Sequence, residues 1–196
     1  PEFKSLMGEL LARHTSMACH RVEHGMPLEP DSIYLIPPKK NVAISDDKLF
    51  LTDQDLTRGH PLNFPIDVFF NSLAESLGER AVGVVLSGTG SDGTRGVRAI
   101  NEGGGVVLVQ DPESAEFDGM PRSVLATGLA DYVLPPRELA RAIYDYATNA
   151  PGGVIQTTAE TPSETILRKI TTLVARDQRI DFSHYKPSTL GRRIER

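Results

Sequence analysis

The stretch from Arg80 to Ala99, RAVGVVLSGTGSDGTRGVRA, constrains the fold of this chain more than any other. It opens with an apolar run, Ala81 to Leu86, whose lack of polar alternation is typical of a strand buried on both faces. Glycines at positions 88, 90 and 93 then interrupt the chain, and helical spacing resumes at Val97 and Ile100. A strand, a tight loop and a helix in this order form the unit in which open α/β proteins place ligands and catalytic groups.

The glycine loop fits three different kinds of site. Its spacing, Gly88-x-Gly90-x-x-Gly93, matches the dinucleotide fingerprint, and Asp111 follows the next predicted strand, where a ribose-binding acid is expected. Asp92 argues against a nucleotide, because a carboxylate inside the loop would repel a pyrophosphate or occupy the anion site itself. Asp92, with Thr94, is also placed to cap the helix that follows. Spacing alone therefore leaves a helix cap, a nucleotide site and a catalytic carboxylate open.

Short strands alternate with helices along most of the chain. An amphipathic helix is predicted within residues 3–11, and a second from Ile66 to Leu77, closed by Gly78. Further helices are predicted at 121–125 and 138–146, and further strands at 17–22, 33–36, 42–44, 49–51, 106–109 and 132–134, with 42–44 and 49–51 forming a hairpin. This alternation predicts a doubly wound, mostly parallel sheet flanked by helices.

A different composition begins near position 150. Residues 150–163 are small, polar and unpatterned, which indicates a linker, and an amphipathic helix is expected after Ser163 at the start of a small all-α domain. The net charge of −5 gives no reason to expect nucleic acid as a partner, and no apolar run is long enough to span a membrane. Cys19 stands alone, which excludes an intramolecular disulfide, and we expect it to be a buried small side chain in a strand.

Three separated motifs resemble the catalytic domain of the chemotaxis protein-glutamate methylesterase (CheB) family. They are SGTGSDGTRGVRAI, QDPESAEFDGMPRSVLATG and ADYVLPP, and the resemblance extends upstream through HRVEHGMPLEPDSIYLIPP. It covers residues 1–149, a methylesterase domain without the family's first strands. After the linker, ETILRKITTLVARDQRIDFSHYKPSTLGRRIER is similar to the start of the N-terminal helical domain of the receptor methyltransferase (CheR) family, so 164–196 is interpreted as the beginning of a fused second enzyme.

The resemblance implies roles for six residues. The family's triad acid corresponds to Asp92, which would hold a histidine in the correct tautomer. Gly88, Thr89 and Gly90 correspond to the loop whose backbone N–H groups bind the oxyanion, and Thr89 replaces a residue that is often methionine in the family. Met120 and Pro121 match a second loop beside the active site.

The family's nucleophilic serine and its histidine have no counterpart in these 196 residues. None of His14, His20, His24, His60 and His184 lies in a matching motif, and the i, i+4 spacing of His20 and His24 does not converge on a metal in a strand-and-turn segment, so no metal site is predicted. The sequence by itself is therefore expected to be inactive.

The resemblance implies a cytoplasmic chemotaxis protein that hydrolyses glutamate methyl esters on the cytoplasmic helices of chemoreceptors, with deamidation of glutamines as a second reaction open to the family. Ester hydrolysis would need no cofactor, whereas the complete methyltransferase would use S-adenosylmethionine. A receiver domain or other signalling domain is a further possible partner. Two alternatives stay open: a non-catalytic module that docks on receptors, and a dinucleotide-binding domain.

Overall fold

A computed structural model of the chain describes residues 6–54 and 64–148. In chain order the elements are α1 (Met7–Ala12), β1 (Ala18–Arg21), β2 (Met26–Pro27), β3 (Ser32–Leu35), β4 (Lys40–Ser45), β5 (Lys48–Asp53), α2 (Pro65–Leu77), β6 (Val82–Val85), α3 (Thr94–Glu102), β7 (Val106–Gln110), α4 (Gly119–Leu125), β8 (Tyr132–Leu134) and α5 (Pro136–Thr148). Short 3₁₀ helices cover Gly78–Arg80 and Pro112–Ser114. No helix among the described residues has the length and apolar character needed to cross a membrane.

The described strands form three sheets. The central one is parallel, in the order β6-β7-β8, and β1 pairs with β3 in a second parallel sheet. The third sheet is antiparallel, in the order β2-β5-β4, and β4 and β5 form its hairpin. The hairpin turn is Asp46 and Asp47, both with positive φ, as the tight turn between twisted strands requires.

Strand β7 is buried along its whole length because helices cover both faces of the central sheet. Val107 and Val109 pack in a cluster that includes residues of α2, α3 and α4. Val106 and Leu108 point to the opposite face, where they pack with Leu139 of α5. The side chains of this one strand thus alternate between two helical layers, as a doubly wound sheet requires.

Helix α2 lies between the central sheet and the antiparallel sheet. Its side chains Phe69, Leu73 and Leu77 pack against the core of the central sheet and also against the cluster formed by Val22, Val42, Ile44 and Leu49. Ser72 Oγ accepts a hydrogen bond from Ile44 N at 3.0 Å, which ties the helix to the hairpin. One helix therefore joins the two layers.

The expected α/β architecture with flanking helices is confirmed, and the elements begin and end close to their predicted positions. The two-residue strand β2 is too short for a periodic signal, and the sequence pattern missed it. The predicted linker at 150–163 and the helical segment at 164–196 lie outside the described residues.

Candidate active site

The glycine loop leaves the carboxyl end of β6 and is fixed at its first residues by β7. Gln110, the last residue of β7, is only 5% exposed, and its Oε1 accepts a hydrogen bond from Ser87 N at 2.8 Å. Its Nε2 donates to Ser114 O at 3.0 Å, so one amide side chain joins the glycine loop to the 3₁₀ turn after β7. A buried amide with both ends bonded is well suited to holding a loop in one position.

The segment around the start of α4 packs directly on this loop. Gly88 N donates to Phe117 O at 2.8 Å, and Met120 N donates to Gly88 O at 2.9 Å. A Cβ on Gly88 would lie 2.5 Å from Met120 Sδ, and one on Gly119 would lie 3.1 Å from Gly90 N. The structure thus brings Gly88, Gly90 and Met120 together, and the glycines permit the close approach.

The predicted loop residues differ in their exposure. Thr89 and Gly90 are exposed, and Gly90 has φ of 88°, a conformation that glycine adopts without strain. Met120 is half-buried against Gly88, whereas Pro121 in the first turn of α4 is fully buried. Pro121 therefore supports the start of α4, and Thr89 and Gly90 form the accessible part of the loop.

Asp92 ends the loop with its carboxylate directed at the N-terminus of α2. Oδ2 accepts from Ile66 N at 3.1 Å, and Oδ1 accepts from Asp67 N at 3.0 Å and from Gly93 N at 2.9 Å. A carboxylate oxygen can accept two hydrogen bonds. Among the bonds of the described residues, Oδ1 has both and Oδ2 has one, so Oδ2 can accept one more donor from the half-exposed side of the group.

Asp92 does not cap its own helix, although the sequence pattern had offered it as a cap. The N-cap of α3 is Gly93, with φ of 91°, and it provides no side-chain hydrogen bond. Thr94 does not cap α3 either, because its Oγ1 is buried without a partner in the described part of the chain. Asp67 of α2 bonds the first amides of α3 instead: its Oδ1 accepts from Arg95 N at 2.9 Å and from Gly96 N at 2.7 Å.

This arrangement argues against a dinucleotide at the loop. In dinucleotide domains the amides at the start of the helix bind the pyrophosphate. Here the carboxylate of Asp67 already accepts from two of those amides, and Asp92 adds a second negative charge. Asp111, the candidate ribose ligand, caps the 3₁₀ turn through its Oδ1, which accepts from Glu113 N at 3.1 Å.

An exposed ion pair stands at the start of α4. The side-chain hydrogen bond from Arg122 lowers the pKa of Asp118, and the same bond raises the pKa of Arg122. Both groups are exposed, so the pair adds little to the stability of the protein.

The described histidines lie elsewhere in the molecule. His20 stacks on Tyr34 with ring centroids 5.4 Å apart, and His24 Nδ1 is 3.1 Å from Leu51 O. His60 and His184 lie outside the described residues. Within 6–54 and 64–148, no three His, Cys, Asp or Glu side chains gather as metal ligands. Cys19 is half-exposed rather than buried, because it lies in the two-stranded sheet, away from the three main clusters.

The family model described as CheB methylesterase matches residues 1–143. The chain belongs to the CheB methylesterase family. Its fold resembles the crystal structure of the Thermotoga maritima CheB methylesterase catalytic domain, with a TM-score of 0.62 and 27% identity over 71% of this chain and 75% of that one.

Curated relatives agree with membership of the CheB family. A putative protein-glutamate methylesterase/protein-glutamine glutaminase of Leptospira interrogans is 33% identical over 67% of each chain. A protein-glutamate methylesterase/protein-glutamine glutaminase of Desulfitobacterium hafniense is 34% identical over 74% of this chain. An uncharacterized 104.1 kDa protein of Rhodobacter capsulatus is 41% identical over 97% of it. The chain spans only 38% of the second relative and 22% of the third.

Sequence reasoning missed two buried polar residues at this site, Asp67 and Gln110. Helical spacing could have identified Asp67, because it lies three residues before Phe70 and seven before Ala74. These three residues form the buried stripe of α2. A carboxylate on a buried stripe needs hydrogen-bond donors. Gln110 ends a strand whose other residues are all apolar, and it needs partners for the same reason.

Proposed function

We propose that this chain carries the acidic part of a Ser-His-Asp active site that hydrolyses glutamate methyl esters on chemoreceptors. The observation that carries the proposal is the geometry of Asp92. Three backbone amides fix its carboxylate at the carboxyl edge of the central sheet, and among the bonds of the described residues Oδ2 keeps the capacity to accept from one further donor. That donor would be the Nδ1–H of an imidazole. Membership of the CheB family supports the assignment.

In this mechanism Asp92 acts on the imidazole and not on the ester. The imidazole takes the serine proton while the serine oxygen attacks the ester carbonyl carbon, and Asp92 stabilises the imidazolium that forms. The imidazolium then gives its proton to the departing methoxide oxygen as the C–O bond breaks, so that methanol leaves and the acyl-enzyme remains. Water, activated by the same imidazole, cleaves the acyl-enzyme to give glutamate and free serine. Glutamine deamidation would follow the same steps with ammonia leaving.

The oxyanion of each tetrahedral intermediate needs donors near the serine. The exposed part of the glycine loop, Thr89 and Gly90, lies between Asp92 and the residues Ser87 and Gly88, which are held by Gln110 and the start of α4. Its backbone amides are our candidates for that role. The serine and the histidine would come from a part of the protein outside these 196 residues, because no motif in the sequence matches theirs.

The remaining assignments concern the whole protein. Chemoreceptor helices in the cytoplasm are the proposed substrate, and the ester hydrolysis is proposed to need no metal or organic cofactor. We also propose that residues 164–196 begin a receptor methyltransferase domain of the CheR type, which when complete would bind S-adenosylmethionine. The similarity to the Rhodobacter capsulatus relative covers 97% of this chain and so continues past residue 143, where the methylesterase match ends. This supports a protein in which a second segment follows the methylesterase domain in the same chain.

Methanol release from a methylated chemoreceptor fragment by the full-length protein tests the proposal. We expect turnover by the wild type and a loss of about 10⁴-fold in kcat for Asp92→Asn, as for the acid of other triads. Asp131→Asn is the matched control, since Asp131 Oδ2 accepts from Val107 N at 2.8 Å near the amino end of β7, away from the loop. Receptor binding without methanol release by the wild type would instead identify a docking module.

A further inference from the structure

Asp67 is the most buried carboxylate among the described residues, and the proposed mechanism does not use it. Its side chain lies in the first turn of α2 and the residue is only 6% exposed. Both amides that it binds, those of Arg95 and Gly96, belong to the first turn of α3. Its own backbone N–H donates to Asp92 Oδ1. Asp67 thus bonds both the candidate catalytic group and the helix that follows it.

The two aspartates exchange caps between two helices. Asp92, two residues before α3, binds the first amides of α2, and Asp67, in α2, binds the first amides of α3. Each carboxylate also lies at the positive end of the other helix, where a negative charge is stabilised. Because two of the three amides that orient Asp92 belong to α2, a shift of α2 relative to α3 moves those two donors and turns the carboxylate.

The two helices meet closely enough for such a shift to be resisted. A Cβ on Gly96 would lie 2.4 Å from Phe70 Cβ and 3.2 Å from Asp67 Cα, so glycine allows the backbones to approach. The Arg95 guanidinium carbon lies 5.5 Å from the centroid of the Phe64 ring, which adds a contact between the two helix starts. The bonds of Asp67 fix the register of this contact.

We infer that Asp67 is a positioning residue for Asp92, which holds the N-terminus of α2 against α3 so that Oδ2 of Asp92 faces its imidazole partner. The inference rests on the proposed role of Asp92. It adds that the orientation of the triad acid depends on a second, buried carboxylate that touches neither substrate nor histidine.

Steady-state kinetics of the full-length protein on the methylated receptor fragment tests this role. Asp67→Asn keeps an oxygen that can accept from both amides but loses the charge, and we expect kcat to fall about tenfold with KM changed less than about twofold. Asp67→Ala removes the acceptor, and its expected loss is on the order of 100-fold. Asp131→Asn serves again as the control for loss of a carboxylate bonded to the backbone.

A double-mutant cycle separates positioning from a general structural role. In the Asp92→Asn background there is no carboxylate left to orient, so adding Asp67→Asn should change the residual kcat by less than about twofold. If Asp67→Ala does not fold, the comparison of Asp67→Asn in the wild-type and in the Asp92→Asn background still tests the inference. An equal loss in both backgrounds, or no loss in either, would overturn the inference. Wild-type kcat in Asp92→Asn would instead overturn the proposed function itself.

Discussion

Two aspartates at the start of neighbouring helices show how little of a residue's role follows from its place in the chain. Asp92 stands at the N-terminus of α3, yet it bonds α2, and Asp67 bonds α3 from within α2. An isolated helix with an aspartate before it would use that side chain as its own cap. The tertiary contact of α2 with α3 offers both carboxylates better-placed amides, and the exchange leaves Asp92 at the edge of the site.

At the same scale, Thr89 tests whether the loop works through its backbone. Thr89→Pro removes one N–H from the candidate oxyanion site, and we expect kcat to fall about 10²–10³-fold. Thr89→Ala keeps the N–H and removes only an exposed side chain, so its turnover should stay within about threefold of the wild type. Methanol release measures both variants, and circular dichroism checks their folding. Equal losses of kcat in the two variants would contradict a backbone role and would assign the effect to the threonine hydroxyl.

At the scale of elements, the sequence predicted helices and strands well and their contacts poorly. The periodicity of apolar residues predicts α2 and its end at Gly78, because a helix that buries one stripe shows this pattern whatever element it packs against. The glycine loop was predicted as the site from the family resemblance, because its spacing alone left a helix cap, a nucleotide site and a catalytic carboxylate open. The exchange of caps was not predicted, because hydrogen bonds between residues 25 to 29 positions apart leave no local pattern.

The contact between α2 and α3 yields a prediction at this scale. Gly96→Ala should destabilise the helix pair by about 1–3 kcal/mol, because its Cβ would clash with Phe70 Cβ at the rigid base of that side chain. Gly8→Ala is the matched control in α1, where the nearest atom would be Leu35 Cδ1 at an ordinary 3.5 Å. Hydrogen exchange of the full-length protein should speed up in α2 and α3 for Gly96→Ala alone. Unchanged exchange in those helices would show that the contact is looser than described.

On the scale of the whole molecule, α2 couples the antiparallel sheet to the central sheet. Leu73 packs in the clusters on both sides of the helix, whereas Leu139 packs only in the cluster under α5. Leu73→Ala should therefore cost about 2 kcal/mol, the lower end for a leucine truncation because Leu73 is only half-buried, and should weaken protection in both sheets. Leu139→Ala should leave the antiparallel sheet protected. Hydrogen exchange measured by mass spectrometry distinguishes these patterns, and confinement of the Leu73→Ala effect to one sheet would contradict the coupling.

The central claim concerns a single hydrogen bond, from an imidazole Nδ1–H to Oδ2 of Asp92. Proton NMR of the full-length protein detects such a proton directly, since its short bond to a carboxylate shifts its signal far downfield of the amide region. We expect one such signal in the wild type, and we expect Asp92→Asn to abolish it while Asp131→Asn leaves it in place. A downfield imidazole signal that persists in Asp92→Asn would contradict the assignment of Asp92 as the triad acid.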